Sequence, residues 1–511
     1  MPYRYRSDRP GIVFVLATII ILSVSIWGLF FPGNMEAVTS DMLTIFLDSF
    51  GWFYVLAVSF FLAFCLFLGF GPYRHMKLGK PKDEPEYSFY TWIGMLFAAG
   101  MGVGLVFWGV AEPMAHYVNP PPNVDVEGGT QAAAETGLLY GIFHWGMHPW
   151  SVYAIVALAL AFAKYRKNLP GLVSSAFYPI LKDRVAGPIG KGIDLLATVG
   201  TTVGIATSLG LSTLQVSGGL EEVAGIGNTT QLQLIIIGGV TVIFLISVVS
   251  GINRGMRYLS IVNLTLMAAL LVAVVSFGPT LFIFEHFTKT FGDYVSSAVQ
   301  LSFDTTPYSD NEWMGEWTFF YWAWIISWSP FVGTFIARVS RGRTLQQFMI
   351  GVLFVPTLVS VFWFAAFGGT GLHMELFQNL GQAEAVAEKP ENGLFLVLQQ
   401  LPLGLMLSIA ALILILIFFI TSANSATFVL GVFTSQGSLS PKTPVLITWG
   451  LLISTVAASL LLSGGLEGLQ STAIMTALPF TLLIVTMCIA VFMSLRSEGA
   501  EKHRVEPPKD W

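Results

Sequence analysis

The chain has 511 residues, of which 54% are hydrophobic and 11% are charged, and its formal net charge is −5 at pH 7. Soluble domains carry about 25% charged residues, so this composition excludes an ordinary soluble protein and makes lipid the solvent for most of the chain. Both cysteines, Cys65 and Cys488, lie in apolar runs, which excludes a disulfide framework and a cysteine metal cluster. The sequence predicts an all-α integral membrane protein.

Apolar stretches close to the ~20 residues that a helix needs to cross a bilayer recur along the whole chain. We predict about twelve transmembrane helices, at residues 11–31, 52–71, 88–110, 136–163, 191–216, 232–250, 258–278, 316–337, 346–368, 403–429, 443–464 and 471–494. The first apolar run follows a basic segment, as in a signal peptide. It ends in Phe-Phe-Pro-Gly rather than in a small-residue cleavage site, so we expect it to be retained.

The distribution of basic residues predicts the orientation of these spans. With an even number of spans, alternate loops place every Lys and Arg on one side of the membrane except Lys289 and Lys389. Loops rich in Lys and Arg stay in the cytoplasm, so we expect both termini to be cytoplasmic. Between the seventh and eighth spans, residues 282–301 are apolar but interrupted by charges. This pattern is typical of an amphipathic helix at the outer interface, although a packing helix is the alternative.

The third span contains glycine at alternate positions, Gly100, Gly102 and Gly104. Each costs a helix roughly 1 kcal/mol relative to alanine, and alternate spacing does not form a helix-packing face. We therefore expect a break in this helix. Unwound backbone at membrane depth is tolerated where it lines a cavity, and its carbonyl groups can coordinate a cation. Close helix packing is the alternative.

Aromatic residues cluster in two other spans. In the fourth span, Trp145, Trp150 and Tyr153 fall within an arc of roughly 140° on an ideal helix, which Pro149 is expected to distort. In the eighth span, one narrow face carries Trp324, Trp328 and Phe331. Two such walls can form a box that holds a quaternary ammonium group by cation–π attraction. Ordinary core packing is the alternative.

Hydroxyl and amide groups form a third cluster, in the tenth span. The oxygen-rich patch consists of Thr421, Ser422, Asn424 and Ser425. Such a patch is suited to a hard cation such as sodium. In the fifth span, Thr198 and Thr202 stand one helical turn apart. Hydroxyls in transmembrane helices often bond back to the preceding turn instead, and this is the alternative in both places.

Through nearly all twelve spans the sequence resembles the betaine/carnitine/choline transporters. The motifs that carry the resemblance are Gly100-Met-Gly-Val-Gly104, Phe107-Trp-Gly-Val-Ala-Glu-Pro113, Phe143-His-Trp-Gly-Met-His148, Tyr321-Trp-Ala-Trp324, Ser327-Trp-Ser-Pro-Phe-Val-Gly333, Ala337-Arg-Val-Ser-Arg-Gly-Arg-Thr344 and Phe419-Ile-Thr-Ser-Ala423. The resemblance implies two inverted five-helix repeats of the LeuT-like kind after two extra N-terminal helices. It also implies a homotrimer and transport by alternating access.

Under this resemblance the chain divides into six parts. They are an N-terminal tail (1–10), the two extra helices with a basic loop (11–87), the first repeat (88–278), an external amphipathic helix and loop (279–315), the second repeat (316–494) and a C-terminal tail (495–511). We expect a location in the bacterial cytoplasmic membrane. No cofactor or metal is expected besides sodium as the coupling ion, and no nucleic-acid partner.

The family's functional residues match positions of this chain. The substrate site corresponds to Trp145, Trp150, Tyr153, Trp324 and Trp328, together with Met101, Gly102 and Ile325. One sodium site corresponds to Ala98, Met101, Phe418, Thr421 and Ser422, and a second to Thr198, Thr202 and Phe331. The resemblance thus predicts a sodium symporter that imports a small zwitterionic or quaternary-ammonium osmolyte.

Three positions bear on the substrate and the ion. Choline-carrying relatives that resemble proton symporters tend to have an acidic residue at Gly104, so glycine there favours sodium coupling and a betaine-like solute. Ile325 stands where betaine carriers often have a second Trp, which leaves ectoine and dimethylsulfoniopropionate as alternatives to glycine betaine. Asn424 stands where Asp is common, so the ion stoichiometry stays open. A sodium-independent carnitine or choline exchanger is the rival mechanism.

Enzymatic chemistry has little support in the sequence. The ionisable residues deep in the spans are few, chiefly His144, His148 and Glu112. Two histidines one turn apart without a third ligand make a poor metal site. We therefore expect a carrier and not an enzyme.

Overall fold

The structure is a computed structural model that describes residues 10–100, 102–250, 253–309 and 312–505, with side chains described outside 97–100, 253–257 and 499–505. Within these ranges the chain is helical, and the one β-bridge joins Lys77 to Thr344. Helical backbone satisfies its own hydrogen bonds, which is the requirement that a hydrocarbon solvent imposes. The structure confirms the predicted all-α membrane class.

Twenty α-helices follow one another along the described chain. The first ten are α1 (Ile12–Phe30), α2 (Pro32–Phe70), α3 (Phe89–Gly100), α4 (Val103–Val118), α5 (Gln131–Trp145), α6 (Met147–Ala161), α7 (Tyr178–Leu181), α8 (Pro188–Ala224), α9 (Thr230–Ser250) and α10 (Asn253–Phe277). The others are α11 (Thr280–Ser302), α12 (Glu312–Met314), α13 (Phe320–Val339), α14 (Leu345–Met349), α15 (Val355–His373), α16 (Ala383–Glu388), α17 (Gly393–Gln399), α18 (Gly404–Thr434), α19 (Thr443–Leu462) and α20 (Gly465–Val505). Short 3₁₀ and π-helical turns join several of them.

Eleven helical segments in the described residues are long and apolar enough to cross a membrane. The remaining predicted span, the third (residues 88–110), is not a single long helix, because it is divided between α3 and α4. Helix α3 ends at Gly100 and α4 begins at Val103, with Gly102 in an extended conformation (φ −103°, ψ −157°). Gly104 lies inside α4, one residue after its start. Met101 lies outside the described residues.

The fourth predicted span, residues 136–163, is interrupted as well, and not where Pro149 predicted a distortion. Helix α5 ends at Trp145 and α6 begins at Met147, with Gly146 (φ −90°, ψ −142°) between them. The Tyr294 hydroxyl of α11 accepts a hydrogen bond from the backbone N–H of Met147 at 3.0 Å, which satisfies a donor that the break frees. A Cβ at position 146 would stand 2.6 Å from that hydroxyl, so the tyrosine approaches closely only because the residue is glycine.

The spans differ in how deeply they are buried. In the most apolar window of Gln131–Arg166, which contains α5 and α6, 94% of residues are buried, whereas in Tyr258–Phe277 of α10 only 22% are. Helix α13 is buried to about the same extent as α5 and α6, whereas only a minority of residues is buried in α1 and α9, as in α10. The exposed residues of the outer helices are large and apolar, which matches a lipid-facing surface. The centre of the protein is therefore built from α4, α5, α6, α8 and α13.

Two loops meet at one end of this bundle. Residues 71–88 pair with residues 340–346 through backbone hydrogen bonds such as Leu78 N–H to the Arg343 carbonyl, at 2.8 Å. The Arg341 guanidinium donates to both oxygens of Asp83, at 3.1 and 3.2 Å. This hydrogen bond lowers the pKa of Asp83 below its usual value.

The same end of the bundle holds the described parts of both termini, and it is called the termini face below. The backbone N–H of Gly11 donates to the Thr434 carbonyl at 3.0 Å, next to the end of α18. Near the C-terminus, Glu498 forms an ion pair with Arg166, which follows α6. The loops of residues 119–130 and 374–403 belong to the other end, called the opposite face.

Candidate solute-binding site

A narrow cavity with aromatic walls lies at the centre of the bundle. Its volume is about 30 Å³, and its lining includes Gly102, Gly104, Trp145, Trp150, Tyr153, Ser208, Ser212, Trp324, Ile325, Trp328 and Ser422. The structure thus brings together every predicted substrate residue that it describes. The space is no larger than a water molecule needs, so a solute can enter only if the rings move apart.

The aromatic side chains contact one another edge to face across the cavity. Trp145 and Trp324 have ring centroids 6.0 Å apart at 79°, and Trp150 and Tyr153 have centroids 5.6 Å apart at 81°. Tyr153 in turn contacts Trp328 at 6.4 Å. Helices α5 and α6 are separate, but only Gly146 lies between them. Their aromatic residues therefore line the same cavity.

The backbone of α4 comes very close to the box at Gly104. A Cβ built on Gly104 would stand 2.4 Å from the Trp145 ring and 2.5 Å from the Trp324 ring. Distances this short are repulsive, so any side chain here would force the two indoles apart. Glycine at this position therefore lets α4 pack directly against both rings.

Two of the indole N–H groups are held by neighbouring helices. Trp324 Nε1 donates to Ser208 Oγ at 3.1 Å, and this serine belongs to α8. Trp145 Nε1 donates to Glu112 Oε2 of α4 at 3.2 Å. Trp328 Nε1 is buried without a hydrogen-bond partner among the described residues. Trp328 therefore has a donor to spare.

Buried ionisable residues gather on the opposite-face side of the box. The carboxylate of Glu112 is 2.5 Å from His144 Nδ1 and 3.4 Å from His116 Nε2, and it accepts a hydrogen bond from the Tyr321 hydroxyl at 2.7 Å. All of these side chains are buried. His116 was not among the predicted residues, although it lies four residues after Glu112 on α4 and therefore shares a face with it.

This cluster could be considered as a metal site, since Glu112, His116 and His144 offer three ligand atoms within 4.8 Å. Ligands of one tetrahedral zinc ion stand about 3.3 Å apart, because each lies about 2.0–2.1 Å from the metal. Glu112 Oε1 and His144 Nδ1 are 2.5 Å apart, which is a hydrogen-bond distance. The arrangement is therefore a polar network centred on a carboxylate.

The first predicted sodium site is described only in part. Ser422 lines the cavity, while the Thr421 hydroxyl donates to the Ile417 carbonyl at 2.8 Å. Phe418 is buried one turn earlier on α18. The side chain of Ala98 and the whole of Met101 lie outside the described residues. Asn424 is directed elsewhere, since its amide donates to Ser247 of α9 at 3.1 Å.

The residues of the second predicted sodium site lie on two packed helices. Thr198 and Thr202 are buried on α8, and Phe331 is buried on α13. The hydroxyl protons of both threonines bond back to α8, to the carbonyls of Asp194 (2.6 Å) and Thr198 (2.7 Å). This is the bonding that the alternative reading predicted. A hydroxyl that donates still has lone pairs with which to bind a cation.

The fold and the cavity define a multi-pass helical membrane protein with a central cavity lined by aromatic residues. The sequence model of the family described as "BCCT, betaine/carnitine/choline family transporter" matches residues 12–500. The chain belongs to this family of transporters, as its motifs predicted.

Two relatives cover nearly the whole chain. It is 47% identical over 496 residues to a protein named "Glycine betaine transporter OpuD" from Bacillus subtilis, covering 97% of this chain and 96% of the relative. It is 44% identical over 498 residues to a protein named "Ectoine/hydroxyectoine transporter" from Virgibacillus pantothenticus, covering 97% and 98%. Because these relatives are named as transporters, they imply a transport role.

The close contact at Gly104 predicts the effect of adding one methyl group. Gly104→Ala should weaken solute binding about tenfold, because the new Cβ displaces both indoles from the positions in which they would face the solute, and such overpacking costs on the order of 1–3 kcal/mol. Binding titrations on purified protein measure this. Gly94→Ala on α3 is the matched control, since no atom lies within 4 Å of its Cβ position. Equal affinities in both variants would contradict the steric role of Gly104.

Proposed function

We propose that the protein imports a small zwitterionic or quaternary-ammonium osmolyte, glycine betaine first, by sodium symport. The observation that carries this proposal is the aromatic cavity beside the helix break, walled by Trp145, Trp150, Tyr153 and Trp324. A trimethylammonium group cannot donate hydrogen bonds, and aromatic faces attract it through the ring quadrupole. Betaine transport is also what the relative from Bacillus subtilis is named for.

The other end of a betaine molecule is a carboxylate, and the cavity offers groups of the matching sign. Helix α4 begins at Val103 beside the cavity, so its first backbone N–H groups and its positive dipole end are close by. The unpartnered Trp328 Nε1–H is a further donor. A cation held by the rings and an anion held by these donors together select a zwitterion over a simple amine.

Ectoine is the second candidate, and Ile325 is the residue that favours it. This side chain lines the cavity and gives it an aliphatic wall. An aliphatic wall removes a ring that is worth about 0.5–2 kcal/mol to a trimethylammonium group, whereas a cyclic solute loses less. The relative from Virgibacillus pantothenticus is named for ectoine and hydroxyectoine. Dimethylsulfoniopropionate, and exchange of carnitine or choline without sodium, are weaker alternatives.

Sodium coupling is proposed from the oxygen atoms next to the cavity. Ser422 lines the cavity and Thr421 precedes it on α18, so a cation bound there would be adjacent to the solute. Thr198 and Thr202 offer a second pair of hydroxyls on α8. Hydroxyl and carbonyl oxygens are the ligands of hard cations, and a shared boundary couples the binding of ion and solute.

The setting of the carrier is also proposed. The concentration of Lys and Arg in the loops of the termini face supports a cytoplasmic location for that face in a bacterial membrane. Family membership supports inverted five-helix repeats, a homotrimer and alternating access. Osmoprotection follows if the solute is accumulated without metabolic use.

Uptake by cells that express the protein tests the proposed function. Labelled glycine betaine and ectoine should accumulate when sodium is the monovalent cation, and uptake should fall at least tenfold when potassium replaces it. Carnitine should accumulate little because it is larger than glycine betaine, and choline because it lacks the carboxylate that the donors beside the cavity would bind. Uptake that continues unchanged without sodium would favour the exchanger, and uptake of none of these solutes would overturn the substrate class.

Recognition by the aromatic box can be separated from packing at Trp324. Trp324→Leu should weaken glycine betaine binding about 5- to 30-fold, which corresponds to the loss of about 1–2 kcal/mol of cation–π attraction. Trp324→Phe is the matched control: it keeps an aromatic face but loses the bond to Ser208, so its loss should be smaller. Ile325→Trp should shift preference toward trimethylammonium solutes. Titrations in which Leu and Phe behave alike would count against cation–π recognition.

The hydroxyls of α18 should set the sodium dependence. Thr421→Ala combined with Ser422→Ala should raise the sodium concentration for half-maximal uptake at least fivefold, because two oxygen ligands of a hard cation are removed. Thr427→Ala is the control, since this buried hydroxyl on the same helix donates to the Ala423 carbonyl at 2.7 Å and bonds to no other described residue. An unchanged sodium curve in well-expressed double variant would remove this site assignment.

A further inference from the structure

Glu112 is a completely buried acidic residue that does not line the cavity. It lies eight residues after Gly104 on α4, which places it about 12 Å further along the helix, toward the opposite face. Taking a carboxylate out of water is costly unless its oxygens are hydrogen-bonded. The hydrogen bonds to Glu112 therefore offset this cost and link α4 to the helices that supply the donors.

Those bonds come from two other elements of the central bundle. His144 Nδ1 is 2.5 Å from Oε1, while the Tyr321 hydroxyl and Trp145 Nε1 donate to Oε2 at 2.7 and 3.2 Å. His144 and Trp145 belong to α5, and Tyr321 belongs to α13. The second nitrogen of His144 is 2.9 Å from Thr318 Oγ1, just before α13. One carboxylate thus ties α4, α5 and α13 together on one side of the box.

The same three helices meet at the cavity. Gly104 of α4 contacts Trp145 and Trp324, which belong to α5 and α13. A solute that enters from the opposite face must separate these helices there. Separation takes donors away from a buried carboxylate, and charge-assisted hydrogen bonds are among the strongest in proteins.

We propose that Glu112 is a positioning residue that holds the solute pathway closed on the opposite face, and that opening toward the outside requires its bonds to α5 and α13 to break. This inference rests on the proposed alternating access, with the opposite face outside. The carboxylate acts through Trp145 and Tyr321 and does not touch the solute. It is a closing contact between three helices, and it favours the arrangement in which the box is shut from outside.

Thiol accessibility in the full-length protein tests the proposal. The reporter is a cysteine in place of Ser212, which lines the cavity. It is labelled, without solute, with a charged thiosulfonate reagent that does not cross membranes. Intact cells report access from outside the cell, and inverted vesicles report access from the cytoplasmic side. The two native cysteines are buried, so their background is low. Glu112→Gln should raise the labelling rate from outside the cell about tenfold and lower it from the cytoplasmic side. Tyr321→Phe, which removes one of the donors, should raise the outside rate about threefold.

Glu375→Gln is the matched control for these variants. Glu375 is another buried acid near the opposite face, but among the described residues it accepts its hydrogen bond from the backbone N–H of Gln382, at 2.7 Å, and not from the box. Its outside labelling rate should equal that of the parent.

An unchanged rate in both Glu112→Gln and Tyr321→Phe would overturn the proposal, and so would equal increases from both sides, because these would mean general loosening. If Glu112→Gln does not reach the membrane, Tyr321→Phe alone decides in the same way. The labelling uses neither solute nor a sodium gradient. It can therefore support the role of Glu112 even if the proposed solute is wrong, and it can contradict that role even if uptake is normal.

Discussion

The close packing of two indole rings over Gly104 is the contact on which the rest of the site depends. The rings of Trp145 and Trp324 come so near the α4 backbone that a Cβ would stand 2.4 and 2.5 Å from them. Because only hydrogen fits, three helices meet at a single point without intervening side chains. This contact fixes the positions of the aromatic walls relative to the break before α4, and hence the relation between the rings and the helix N-terminus.

Buried polar bonds fix the orientation of the rings that packing alone would leave free to tilt. Trp324 is held by Ser208 of α8, and Trp145 is held by Glu112 of α4. Each indole is thus oriented by an element other than its own helix. Under the proposed alternating access, movement of these supporting helices would open the aromatic box. The charged Glu112 network lies next to the aromatic box, on the side of the box toward the opposite face.

The two helix breaks show how irregular backbone is accommodated at membrane depth. At Gly146 a tyrosine hydroxyl from α11 bonds the freed Met147 N–H, so the break is satisfied by protein. At Gly102 the break lines the cavity, which is where irregular backbone is tolerated at membrane depth. The break at Gly146 shapes the site, and the break at Gly102 forms part of it. Helix α11, predicted as an interfacial helix, also bonds the central bundle through this tyrosine.

The sequence by itself determined the helical membrane class, most of the spans, the region of the break at Gly100 to Val103, and the aromatic residues that line the cavity. These features are local: hydropathy, glycine spacing and aromatic motifs act within about one helix length, so they can be read along the chain. Only the tertiary structure decided that the fourth span breaks at Gly146, that Asn424 bonds Ser247, and that Glu112 joins His144 and Tyr321. The last two partners are 32 and 209 residues away in sequence. Contacts at such separations depend on how the helices pack, and hydrophobic patterns do not specify which buried polar groups will meet.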